Sequence, residues 1–72
     1  MTKIEIIELL KEDERRIKTE MTRLSALTLL VADANDVEEE DKQEAIKDIN
    51  DAYGDLTDAL TWVGFARRDI ER

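Results

Sequence analysis

Residues 45 to 70 read AIKDINDAYGDLTDALTWVGFARRDI and carry the most regular pattern in the chain. Apolar residues advance by four and three without a miss, in the row Ala45, Ile49, Ala52, Leu56, Ala59, Val63, Ala66 and Ile70. A spacing of this kind over almost four heptads predicts a helix that supercoils against a partner helix. The alanines let a neighbouring backbone approach closely, and the larger residues fill the layers between them.

The first half of the chain has a similar but less regular pattern. Thr2 followed by Glu5 fits a capping box, in which hydroxyl and carboxylate each accept an amide hydrogen bond. The apolar residues after it fall on one side of a helix, in the row Ile7, Leu10, Ile17, Met21, Leu24 and Val31, which Glu14 and Thr28 interrupt. The sequence therefore predicts a second long helix that precedes the first pattern.

The segment Asp33-Ala34-Asn35-Asp36 separates the two patterns. Asn35 tolerates the left-handed conformation that ends helices, and Asp36 with Glu39 repeats the capping-box spacing. So short a connection forces two long helices to lie antiparallel. We therefore predict an all-α fold with one domain over residues 1–72, an antiparallel two-helix hairpin of about 3–33 and 37–70. Folding about the break places Ile17 near Tyr53.

A hairpin alone leaves apolar residues uncovered. Helix 2 carries a second apolar row at Ile46, Tyr53 and Leu60, and both ends of helix 1 are apolar on nearly every side. Soluble monomers rarely expose patches of that size. We expect a homo-oligomer, with a two-fold dimer that forms a four-helix bundle as the first choice. The alternative is a monomer in which a short third helix covers the patch.

Composition excludes several classes of function. The 72 residues include no Cys and no His, so there is no thiolate or imidazole ligand for a metal and no Ser-His-Asp triad. No glycine-rich loop or nucleophile elbow marks a site. We expect a protein that is not an enzyme, without catalytic residues, cofactor or metal. No apolar run approaches the length of a membrane span, and a cytoplasmic protein is expected.

The net charge is concentrated in one segment. Residues 34–60 contain ten acids and two bases, which accounts for the whole net charge of −8. Direct DNA binding needs basic patches and is not expected. An unknown protein partner with a basic surface fits this field, since opposite charge raises the rate of association. The simpler alternative is that the acids keep a small helical protein soluble.

A candidate ligand site lies in the polar middle of helix 1. Residues 11–20 read KEDERRIKTE, and Tyr53 with Gly54 stands opposite in the predicted pairing. Arg15, Arg16 and Lys18 beside an aromatic ring suit an anionic nucleotide. Alternatively, these basic residues form ion pairs with neighbouring acids, namely Glu12, Asp13, Glu20, Asp51 and Asp55.

Candidate partner-binding residues lie on helix 2. Aromatic and arginine side chains dominate binding hot spots, and acids on the outer face suit a basic partner. The set comprises Trp62, Phe65, Arg67, Arg68, Asp48, Asp51 and Asp55, together with Glu44 and Asp58 on the same acidic face. The alternative for Trp62 and Phe65 is packing inside the hairpin against Ile4 and Ile7.

Two resemblances add to these observations. The alternation of alanine and large core residues, with Met1-Thr2-Lys3 and Leu27-Thr28-Leu29-Leu30, resembles the plasmid Rop-type RNA-binding dimer. The chain is also similar to short phage hairpin proteins that sequester cyclic oligonucleotide signals of anti-phage defence. The similar residues are Ile17-Lys18 in helix 1 and, late in helix 2, Leu56, Ala59-Leu60, Trp62 and Ala66-Arg67. The second resemblance implies an anti-defence role.

Three functions are therefore expected. The first is a small phage or mobile-element accessory or inhibitor protein that acts by protein–protein interaction. The second is a sponge in which two protomers enclose a cyclic oligonucleotide. The third is an acidic nucleic-acid mimic, whose competition with DNA for a basic groove weakens as salt screens the charges.

Overall fold

The structure is a computed structural model that describes all 72 residues. It contains two helices, α1 (Lys3–Ala32) and α2 (Glu39–Glu71), and no strand. They form a hairpin of 52 × 15 × 14 Å, as long as 30 or 33 residues at about 1.5 Å rise require. The predicted all-α, antiparallel two-helix hairpin is confirmed. Neither helix contains an apolar stretch that could cross a membrane.

The start of α1 follows the prediction in part. The Thr2 hydroxyl oxygen accepts a hydrogen bond from the Glu5 amide at 3.1 Å, which satisfies one of the free amides of the first turn. The Glu5 carboxylate does not complete the capping box through the Thr2 amide. It accepts a hydrogen bond from the Thr2 hydroxyl instead, also at 3.1 Å.

The connection between the helices differs from the prediction. No residue of the chain has a positive φ, so the left-handed conformation predicted for Asn35 is wrong. Instead, α1 ends on Asp33 in right-handed conformation, and Lys42 donates a hydrogen bond to the free Ala32 carbonyl at 3.3 Å. The predicted Asp36 capping box is also wrong, because α2 begins after Glu38, whose side chain makes no capping hydrogen bond.

The predicted apolar row of α1 faces α2. All six of its members are half-buried, and the interrupting residues Glu14 and Thr28 are half-buried with them. On α2 the half-buried apolar residues are Ala45, Ile46, Ile49, Leu56, Ala59, Leu60 and Val63. Ala52, Ala66 and Ile70, which belong to the predicted row, are exposed. The interface thus lies to one side of that row and leaves the alanines at its edge.

The hairpin has no fully enclosed core. Gly64 is the one buried residue of 72, and large apolar side chains such as Ile4, Leu29 and Trp62 are 73%, 73% and 68% exposed. Two helices can cover only one stripe of each other, which explains the open sides. The apolar excess predicted from the sequence is therefore present on the surface of the hairpin.

Candidate binding surfaces

Acidic side chains form a stripe along the outer side of α2, which we call the acidic stripe; it comprises Glu44, Asp48, Asp51, Asp55 and Asp58. Steps of three and four residues place them on one side of the helix, and all five are exposed. None takes part in any of the seven ion pairs of the hairpin. The same holds for the other five acids of residues 34–60, so the segment's negative charge faces solvent without a counter-charge.

The bases of the same segment do not offset the stripe. Lys42 uses its ammonium group on the Ala32 carbonyl, and Lys47 is exposed and forms no ion pair. The field of α2 is therefore strongly negative over its first two-thirds. A field of this sign attracts basic surfaces and repels nucleic-acid phosphates.

Four of the six basic side chains of α1, in contrast, pair with acids of the same helix. Lys11 pairs with Glu8 at 3.7 Å and Arg23 with Glu20 at 3.4 Å. Glu12 accepts hydrogen bonds from Arg15, which lower the pKa of Glu12 and raise the pKa of Arg15. These pairs are exposed and contribute little to stability, but they leave α1 nearly neutral.

The candidate nucleotide-site residues are not brought together. Arg15 and Arg16 are exposed and share the carboxylate of Glu12, as the alternative interpretation expects for this part of the site. Lys18 and Tyr53 are exposed, and no ion pair or ring–cation contact joins them to these arginines.

The register of the hairpin explains this separation. Glu14 lies at the level of Gly64, since a Cβ atom on Gly64 would lie 3.3 Å from Glu14 Oε1. The Glu14–Gly64 contact and the hydrogen bond from Lys42 to the Ala32 carbonyl place Tyr53 level with residues 21–25 of α1. The predicted pairing of Ile17 with Tyr53 is therefore wrong by one to two turns.

An aromatic cluster of Trp62, Phe65 and Arg68 lies near the open end of the hairpin. The Trp62 and Phe65 rings meet edge to face, with centroids 5.7 Å apart and planes at 80°. The Arg68 guanidinium lies 4.9 Å from the centre of the Phe65 ring, a cation–π distance. With Ala66, Asp69 and Arg72, these side chains line a shallow depression. Trp62 and Phe65 are exposed, so the alternative that Ile4 and Ile7 bury them inside the hairpin is wrong.

Arg67, in contrast, is half-buried where α2 faces α1. Its guanidinium donates to both carboxylate oxygens of Glu14, at 2.7 and 3.3 Å, and to Glu71 at 2.7 Å. The Glu14 hydrogen bond is the largest of the effects that raise the pKa of Arg67. These contacts hold Arg67 away from the exposed residues with which the sequence grouped it. The signal for its role was Glu14 itself, since a carboxylate in an apolar row needs a partner.

Comparison with known proteins gives no match from family models, curated proteins or solved structures.

Proposed function

We propose that this protein is a non-enzymatic binding protein that uses the acidic stripe of α2 to occupy a basic surface on another macromolecule. The unpaired state of all ten acids in residues 34–60 carries the proposal. A chain that needed acids only for solubility gains nothing from confining its whole net charge to residues 34–60. Its small size and its resemblance to phage hairpin proteins support a place among accessory or inhibitor proteins of a phage or mobile element.

The mechanism follows from charge and shape. A rigid helix presents carboxylates about 5 Å apart along its axis, since each step of three or four residues rises by that amount. Long-range attraction steers a basic partner to the stripe, and the helix then covers the partner's surface. A nucleic-acid-binding groove is one such surface, in which case the protein competes with DNA as a mimic of its charge.

Titration calorimetry with decalysine as a probe tests this proposal. The variant Glu44→Gln/Asp51→Asn/Asp58→Asn removes three charges from the acidic stripe. The matched control Glu8→Gln/Glu12→Gln/Glu20→Gln removes three charges from α1. We expect the stripe variant to weaken decalysine binding by about tenfold and the control by much less, with both effects lost at about 1 M salt. Equal weakening by the two variants contradicts the proposal.

A second titration separates the competing functions. A panel of cyclic dinucleotides and trinucleotides tests the sponge, for which Arg15, Arg16, Lys18 and Tyr53 remain the candidate residues. We expect no heat of binding at tens of micromolar, because Arg15 and Arg16 share the Glu12 carboxylate and no contact joins Lys18 or Tyr53 to them. Saturable nucleotide binding that the stripe variant leaves unchanged contradicts an acidic-stripe protein and supports the sponge.

A further inference from the structure

The accessible surface of the hairpin is too large for a chain of its mass. It measures 5597 Å², whereas a folded monomer of 8.3 kDa exposes about 4600 Å². The excess of about 1000 Å² exceeds the roughly 800 Å² that each partner buries in a stable protein–protein interface. A second copy of the chain can cover this excess surface. Every copy has the same uncovered surface, so one contact between two copies buries it on both.

The two broad sides of the hairpin differ in polarity. On each helix some residues face the other helix. In an antiparallel pair, the residues immediately after these in sequence lie on one broad side of the hairpin, whichever helix they belong to. The residues immediately before them lie on the opposite broad side, which we call the preceding side. Through the middle of both helices the following residues are polar, namely Lys11, Lys18, Ser25, Asn50 and Thr57, and Leu29 near the turn is an exposed apolar residue of this side. The preceding side carries the exposed Leu9 and Leu30. It also carries what we call the alanine edge, Ala45, Ala52, Ala59 and Ala66.

Charge on this preceding side differs between the helices. On α1 the basic Arg16 and Arg23 alternate with the acidic Asp13 and Glu20, so that this side is neutral, whereas α2 carries Asp48 and Asp55. Both arginines and both aspartates of α2 are exposed. The Glu14–Gly64 contact and the hydrogen bond from Lys42 to the Ala32 carbonyl bracket the register and place Asp55 level with residues 19–23 of α1, a stretch that ends at Arg23. A helix with the charge of α2 fits α1 of another copy better than a second α2.

Two-fold symmetry permits two ways of stacking the hairpins on this side. If the axis runs along the bundle, α2 neighbours α1 of the second copy and both turns lie at the same end. If the axis runs across the bundle, α2 neighbours α2 and the turns lie at opposite ends. The second arrangement places the two acidic segments side by side, which like charges oppose.

We propose that a second copy covers the alanine edge, with α2 against the α1 of its partner and both turns at the same end. Asp48 and Asp55 then face the arginines of the second copy, and Glu44, Asp51 and Asp58 remain exposed on the outside. Self-association and partner binding therefore depend on different acids of the stripe, and each proposal can fail without the other.

Distance measurement between spin labels tests the arrangement. The chain has no cysteine, so Asn35→Cys in the exposed turn gives one label per copy. We expect a label separation under about 30 Å, since helices in a bundle lie about 10 Å apart. A separation near the 52 Å length of the hairpin contradicts the same-end arrangement. Absence of dipolar coupling contradicts the second copy altogether.

Two sets of variants test the surface, with sedimentation equilibrium as the measurement. Ala52→Glu places a charge on the alanine edge, and we expect it to weaken dimer formation by at least about tenfold. The matched control Asn50→Glu adds the same charge to the opposite side and leaves the dimer intact. Equal effects of the two variants contradict the alanine edge as the interface.

The pair of Arg23 and Asp55 provides the second set. Arg23→Asp and Asp55→Arg should each weaken the dimer, because each places like charges opposite one another across the interface. The double variant should restore the dimer, because an aspartate at position 23 of one copy then faces an arginine at position 55 of the other. A merely structural role for either residue predicts no restoration. Failure of the double variant to recover any affinity contradicts the proposed register.

Discussion

At the scale of single residues, the two glycines of α2 have opposite surroundings. A Cβ atom on Gly54 would meet nothing within 4 Å, whereas one on Gly64 would meet Glu14 Oε1 at 3.3 Å. The sequence pattern placed Gly54 opposite the polar middle of α1, whereas in the structure Gly64 is the glycine that lies close to an α1 side chain. The difference arises from the register, which decides which glycine lies opposite a side chain of α1.

The two glycines give a matched stability prediction. Gly54→Ala should raise the free energy of unfolding by about 1 kcal/mol, because alanine is the better helix former and the position is open. Gly64→Ala should raise it less or lower it, because the Glu14 carboxylate must move while Arg67 holds it. Urea denaturation of both variants measures the difference. A Gly64→Ala protein at least as stable as Gly54→Ala contradicts the close contact.

The ion pair of Glu14 and Arg67 gives a second prediction at this scale. Either Glu14→Leu or Arg67→Leu alone should destabilise the hairpin, because the remaining charge stays half-buried without its partner. The double variant should be more stable than either single one, since two leucines extend the apolar interface. A double-mutant cycle in urea measures this coupling. Additive losses in the double variant show that the two groups act independently.

At the scale of the helices, the two N-termini differ in capping. Thr2→Ala should lower the free energy of unfolding by about 1 kcal/mol, because the hydroxyl oxygen that accepts from the Glu5 amide is lost. Glu38→Ser should raise it by about the same amount, because Glu38 makes no capping hydrogen bond and serine readily does. Thermal unfolding followed by circular dichroism measures both changes. An unchanged unfolding midpoint for Glu38→Ser shows that the free backbone amides at the start of α2 gain nothing from a serine cap.

Sequence pattern predicted some features of these helices and missed others for identifiable reasons. The spacing of residues along a helix depends only on their near neighbours in sequence, so the apolar stripe of α1 and the acidic stripe of α2 could be predicted. The first residue of α2 could not be predicted, because several acids from Asp36 to Asp41 are all suitable starts. The Glu14–Arg67 contact spans 53 positions in sequence and depends on the conformation of the turn, which Lys42 helps to fix.

At the scale of the whole molecule, the two proposals assign two surfaces to α2, namely the alanine edge to a second copy and the outer acids to a basic partner. The alanine edge and its flanking acids lie on the side where surface remains to be buried, and the outer acids lie away from it. The opposite side, with Lys18 and Asn50, is polar except near the turn, where Leu29 is exposed. In the proposed pair, a hairpin with one buried residue would gain its missing burial from a second copy, and each copy would still present an acidic row to a basic partner.

Sedimentation velocity across a concentration range tests this self-association most directly. The exposed apolar surface predicts a compact particle of about twice 8.3 kDa at micromolar concentration, which dissociates on dilution together with loss of helical signal. A folded, compact particle of 8.3 kDa that persists at millimolar concentration contradicts it, and with it the assignment of the alanine edge to a second copy.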